Sequence, residues 1–242
     1  MTAAKNLTDV IARCALAASK NKNNKTLKVR LVAVSKTKPV EQIQEVYELN
    51  HRVFGENYVQ EVIEKAPKLP EDIEWHFVGH VQTNKAKALV HGVPNLTCVE
   101  TVDSIKLADK LNVAVETCEM RQKRLKVLNV MVQVNTSGEE SKYGVTPGDS
   151  VIDLAKHIAE NCKQLKFVGL MTIGMPDYTS KPENFECLRN ERAKVALALG
   201  YKDENELELS MGMSGDFESA IAMGSTNVRV GSTIFGARDY NK

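Results

Sequence analysis

The chain has 242 residues, 43% of them apolar, which is enough to bury a substantial core and close to the size of one eight-unit strand and helix barrel. Lys plus Arg (32) nearly cancel Asp plus Glu (31), so no net field gathers nucleic acid or an anionic membrane around the molecule. Cys14, Cys98, Cys118, Cys162 and Cys187 are odd in number and widely spaced with no C-x-x-C pair, which argues against a disulfide framework and a zinc site.

The first twenty residues carry Lys5, Asp9, Arg13 and Lys20, so neither a secretory signal nor a membrane span is expected. They read as an N-terminal helix, followed by a polar linker over 21–25. From there short apolar runs alternate with longer segments of helical period, the pattern of a parallel sheet. Strands are predicted over 31–35, 52–55, 75–79, 97–100, 127–134, 167–172, 206–211 and 227–231. Helices are predicted over 39–49, 103–123, 147–162 and 182–199, three of them with a Pro near the first turn. Eight strands with crossover helices point to a single domain, 1–242, folded as a (β/α)8 TIM-type barrel with an N-terminal helix. An open doubly wound sheet more often uses five to seven strands.

In such a barrel the loops at the C-terminal ends of the strands build the active site. The first strand runs into Lys36-Thr-Lys38-Pro39, and a lysine at that mouth can be desolvated until its amine is nucleophilic. After the seventh strand comes Ser210-Met-Gly-Met-Ser-Gly-Asp216, and after the eighth Arg229-Val-Gly-Ser-Thr-Ile-Phe-Gly236. Small residues let backbone N–H groups approach an anion, and phosphate sites recur after these two strands. His76 and His80 are expected to point differently, one inside a strand and one beyond it, so no metal site is assigned to them. Glu56 and Glu61 read as solvated helix-surface charges, and Gln82, Asn84 and Lys85 as a helix start.

Five segments resemble the pyridoxal phosphate homeostasis protein family: Ala33-Val-Ser-Lys-Thr-Lys-Pro39, Phe54-Gly-Glu-Asn-Tyr-Val-Gln-Glu61, Trp75-His-Phe-Val-Gly-His-Val-Gln-Thr-Asn-Lys85, Ser210-Met-Gly-Met-Ser214 and Val228 to Arg238. The resemblance spans nearly the whole chain in order. It implies a barrel of PLP fold type III, related to the N-terminal domain of alanine racemases. It further implies pyridoxal 5′-phosphate (PLP) held as a covalent aldimine on Lys36, with Ser210, Met211, Ser214, Gly231, Ser232 and Thr233 around the phosphate. Arg229 would face the pyridine nitrogen, Asn57 would lie close to the cofactor, and Lys142 is weakly implied as a second functional lysine. A guanidinium facing that nitrogen offers only donors and keeps it unprotonated, which weakens the cofactor as an electron sink. With no second racemase-type domain before Lys242, the expectation is a PLP carrier that buffers or delivers the cofactor, not an enzyme; the alternatives are an amino-acid racemase or an anion-binding barrel without the imine. Apo PLP-dependent enzymes are the implied partners. The resemblance and the cysteine usage imply a cytoplasmic monomer, a mitochondrial fraction being open.

Overall fold

The computed structural model describes residues 2–21, 28–123, 125–140, 142–174 and 182–237. All but the first residue of the expected linker, together with Arg238 at the end of the last motif, lie outside the described residues.

The eight strands are β1 (Arg30–Val34), β2 (Val53–Glu56), β3 (Glu74–Phe77), β4 (Leu96–Val102), β5 (Leu128–Gln133), β6 (Leu165–Met171), β7 (Glu208–Ser210) and β8 (Asn227–Val230). They form a closed barrel in chain order, every neighbouring pair parallel, with β8 pairing back onto β1. The helices are α1 (Ala3–Ser19), α2 (Val40–Tyr47), α3 (Val59–Lys65), α4 (Ala86–Gly92), α5 (Ile105–Glu116), α6 (Glu119–Gln122), α7 (Asp149–Asn161), α8 (Pro182–Ala198), α9 (Phe217–Ala222) and α10 (Ser232–Phe235).

The apolar runs are near-continuous because both faces of these strands are covered. Val32, Val34 and Val78 pack together inside the barrel, as do Cys98, Met131 and Met171. The opposite phase, Leu31, Ala33, Phe54, Trp75, Val130 and Leu209 among others, faces the helices in one large core. Each fully buried Leu, Ile or Phe there contributes roughly 1.5–3 kcal/mol relative to exposure. Helix α1 seals α9 and α10 from outside: Arg13 donates from Nε and Nη2 to the Glu218 carboxylate at 3.0 and 2.9 Å, and Asn6 Nδ2 donates to Ile234 O at 2.9 Å.

The expected helix over 103–123 is broken in two. Thr117 Oγ1 donates back to Val113 O at 2.9 Å, and Cys118 takes an extended conformation between α5 and α6. The break swings Arg121 inward, where it is fully buried and donates to the carbonyls of Leu96 and, at 3.1 Å, Val127. A straight helix could not bring that guanidinium onto the carbonyls it satisfies. Helices α3 and α4, seven residues each, were expected only through single residues and without bounds; two turns are too short to display a period.

Candidate cofactor site at the barrel mouth

Ser35 N donates to Gly55 O at 2.9 Å, so strand pairing continues past the end of β1. Val32 and Val34 point into the barrel, and half-buried Lys36 follows in the turn that leaves β1. The chain then turns sharply, with Lys38 N donating to Ser35 O at 3.1 Å and Thr37 at a φ of 62°. For a β-branched residue this left-handed conformation costs energy and needs support. Glu61 Oε1 supplies it, accepting from Thr37 N at 2.6 Å. Lys38 Nζ donates to Ala237 O at 2.7 Å, tying the turn to the segment after α10.

Behind the turn lies an ionic cluster. Lys65 Nζ, at the end of α3, donates to Glu56 Oε1 at 2.8 Å, to Glu61 Oε1 at 2.6 Å and to Ser35 O at 2.9 Å, while Ser35 Oγ donates to Glu56 Oε1 at 2.7 Å. Both residues that flank Lys36 are therefore gripped by one clamp, through the carbonyl of Ser35 and the amide of Thr37. Glu56 and Glu61 are not the solvated helix-surface charges expected: Glu56 is on β2 and fully buried, and Glu61 is paired. Burial pushes the Glu56 carboxyl above the ordinary range, against the pull of Lys65.

Beneath the mouth, Arg229 on β8 is buried and fixed at both nitrogens. Nη1 donates to Ser210 Oγ at 2.6 Å and Nη2 to Thr172 O at 2.8 Å. Glu100 on β4 is the hub of this network. It accepts from Ser210 Oγ, from His76 Nδ1 at 2.6 Å and from Asn227 Nδ2 at 3.0 Å. Burial works against the Glu100 charge, but His76, Arg229 and Ser210 outweigh it and hold the carboxyl below its usual range. Burial likewise lowers Arg229, opposed by Glu100 and Asp216. Ser210 thus enters the site as support for Arg229, its hydroxyl occupied by Glu100, Asn227 and Arg229. The Met211 side chain is fully buried in the core, leaving only backbone at that position to face a ligand.

The loops after β7 and β8 meet at Ser214. Its Oγ accepts from Gly231 N at 3.2 Å and Thr233 N at 3.4 Å, and Thr233 Oγ1 donates to Ser214 O at 3.5 Å. The two small-residue clusters, distant in sequence, are one structure. Ser232 is exposed beside them. A Cβ at Gly231 would lie 3.2 Å from Val34 O, so this loop packs directly against the end of β1, two residues before Lys36. Asn57, just past β2, carries a buried Oδ1 with no hydrogen-bond partner among the described residues. Its backbone rests on Gly79, where a Cβ would come within 2.0 Å of Asn57 O.

The loop after β5 closes the far side. Lys142 Nζ donates to Gly174 O and, at 3.1 Å, to Glu139 Oε1, and with Gln133, Thr136, Tyr143 and Thr172 it lines a cavity at the mouth. His80 stacks on Tyr143 at 3.6 Å between ring centroids and pairs with Asp103, while His76 lies inside with Glu100. The two histidines point apart, as their placement on and beyond β3 predicts.

Residues 12–239 match the family model described as alanine racemase, N-terminal domain. The pyridoxal phosphate homeostasis protein of Homo sapiens is 50% identical over 221 residues, covering 88% of this chain and 78% of that protein. The structure of PipY from Synechococcus elongatus without PLP has a TM-score of 0.78 at 30% identity, covering 96% of this chain and 99% of the other. PipY with PLP bound gives 0.69 at 30% identity over 92% of this chain and 100% of the other.

Proposed function

The chain belongs to the pyridoxal phosphate homeostasis protein family, and from that membership we propose that it holds PLP as a Schiff base on Lys36, buffering or delivering it without turning over a substrate. The observation that supports this reading is the convergence at the end of β1: half-buried Lys36 two residues past Val34, with the Gly231 loop packed against Val34.

The residues fit the group. The missing Cβ at Gly231 lets this loop pack against the Val34 carbonyl, and Ser214 Oγ ties the loops after β7 and β8 together, which supports a phosphate site built from both. The buried Asn57 Oδ1 has no partner among the described residues, at a cost of about 1–3 kcal/mol, which marks a polar side chain that the fold itself does not use. Bound PLP supplies an aldehyde for a lysine amine and an electron-accepting ring. Arg229 supports the non-catalytic half of the proposal. Its guanidinium has no acceptor to offer a pyridine nitrogen and is locked to Ser210 and Thr172, so it cannot swing aside to let that nitrogen be protonated.

Borohydride reduction of the PLP-loaded protein followed by peptide mapping is expected to place the adduct on Lys36. An adduct on another residue, or none, ends the Schiff-base reading. Solvent deuterium should enter the α-carbon of added amino acids no faster than with free PLP; rapid exchange would establish the racemase alternative. Gly79→Ala should weaken PLP binding about tenfold or more, the equivalent of a ~1.4 kcal/mol misplacement, because the new Cβ displaces Asn57. Fluorescence titration with PLP checks this, and unchanged affinity would remove Asn57 from the site.

A further inference from the structure

At the end of the barrel opposite the mouth, two helices bring together three side chains that the cofactor site does not use. Asp109 is on α5, His157 is on the last turns of α7, and Cys162 caps that helix just before β6 begins. Asp109 Oδ1 lies 2.7 Å from His157 Nε2 and 4.0 Å from Cys162 Sγ, and the three donor atoms all fall within 4.8 Å of one another.

We propose that Asp109, His157 and Cys162 form a binding site for one divalent transition metal of the zinc class, with water in the fourth position. An imidazole, a thiolate and a carboxylate make a borderline-soft donor set that suits zinc and selects against magnesium and calcium, which take oxygen ligands. Tetrahedral bonds of about 2.0–2.3 Å place donors roughly 3.3–3.8 Å apart. The observed 2.7 and 4.0 Å straddle that range, so small shifts admit the ion. The Asp109 side chain, 55% exposed, is free to make them. Cys162, 3% exposed, is fixed, and the helix pair is braced beside it by Asn112 Oδ1, which accepts from Gln164 N at 2.9 Å.

An ion pair between Asp109 and His157 accounts for their contact alone, and the proposal adds the thiol. Burial and Asp109 push Cys162 up to about 11, so the metal must displace its proton. The sulfur–hydrogen bond is replaced by a metal–sulfur bond, one proton leaves to solvent, and a second leaves if the imidazole is charged; nothing is oxidised or reduced. Sequence spacing gave no hint of the site, because His157 and Cys162 acquire their third donor only when α5 packs beside α7.

The test is a cobalt(II) titration of the PLP-loaded, chelator-stripped protein, read in the red, beyond the absorption of PLP. One equivalent should give the intense bands of tetrahedral cobalt and be displaced by zinc, and added zinc should raise the Tm. Cys162→Ser and His157→Ala should lose both responses, and Asp109→Asn, at an exposed position that leaves packing intact, should weaken binding at least tenfold. Absence of tetrahedral bands at millimolar cobalt in the wild type overturns the proposal, as does their persistence in both Cys162→Ser and His157→Ala.

Discussion

Lys65→Met is expected to destabilise the protein by about 3–5 kcal/mol near pH 8, the cost of leaving a buried charge without its partner. The substitution keeps the aliphatic stem but takes the ammonium from Glu56 Oε1, Glu61 Oε1 and Ser35 O together. Glu56, fully buried, is left with only the Ser35 hydroxyl donating to it among the described residues. The pH dependence identifies the culprit. Burial already raises the Glu56 carboxyl, and losing Lys65 raises it further. A carboxyl whose folded pKa lies above its unfolded value contributes stability that is complete below the unfolded value, about 4.3, and is lost as pH rises through the folded value. The deficit of Lys65→Met relative to wild type should therefore be small at pH 5 and grow toward pH 8. Urea denaturation followed by fluorescence of Trp75, the single tryptophan and fully buried, measures it. Adding Glu56→Gln should recover part of the loss at pH 8. A deficit that is flat with pH, or unchanged in the double variant, would show that Glu56 does not bear the cost. The same variant probes the mouth, since Thr37 would keep its left-handed turn with Glu61 no longer held in place. The PLP affinity of Lys65→Met at pH 5 tells whether the clamp positions Lys36 or only stabilises the fold.

How much of this was open to a reading of the chain depends on how local each feature is. All eight strands lie where apolar runs end in small or polar residues, because strands covered on both faces must be apolar throughout. The place of Lys36 just past the end of β1 was legible for the same reason: it follows the first apolar run. The clamp was not legible, since Glu56 looks like any helix-flanking carboxylate until α3 folds back and delivers Lys65 nine residues later. Ser210 shows the opposite case. A small polar residue in a Gly-rich loop invites a phosphate reading, yet it closes β7 on the inward phase, so its hydroxyl turns toward Glu100 on a strand far away in sequence. Residue type placed it at the site, and only the register could say which way it faced. Glu100 escaped notice, and His76 was weighed only as a metal ligand, because each sits within a strand, where a polar residue has no local partner to announce it.

That buried network makes Glu100→Gln the second large effect, again about 3–5 kcal/mol, from removing one partner of a buried ionic pair. The glutamine is isosteric but carries two donors where the carboxylate had an acceptor. Facing one way its amide meets His76 Nδ1 and Asn227 Nδ2, and facing the other it meets Ser210 Oγ, which already accepts from Arg229 and Asn227. The former pair can be relieved by a change of His76 tautomer, but Asn227 Nδ2 cannot follow, and either orientation leaves Arg229 without its nearest counter-charge. The acid limb should change as well. Glu100 is held below its ordinary value in the fold, so its stabilisation is present above the unfolded pKa of about 4.3 and drains away as pH falls through the lower, folded value. Wild type should thus lose stability below pH 4.3 through this group, and Glu100→Gln should show a shallower acid limb from an already lower plateau. Urea midpoints at pH 7 and at pH 3.5 separate the two: if the variant falls as steeply as wild type over that interval, Glu100 is not the carboxylate that the network holds ionised. PLP affinity at pH 7 completes the experiment, because a guanidinium without its counter-charge at Glu100 is held less firmly beneath the mouth. Stability lost without any change in affinity would confine Glu100 to the fold and leave Arg229 positioned by Ser210 Oγ and the Thr172 carbonyl without its help.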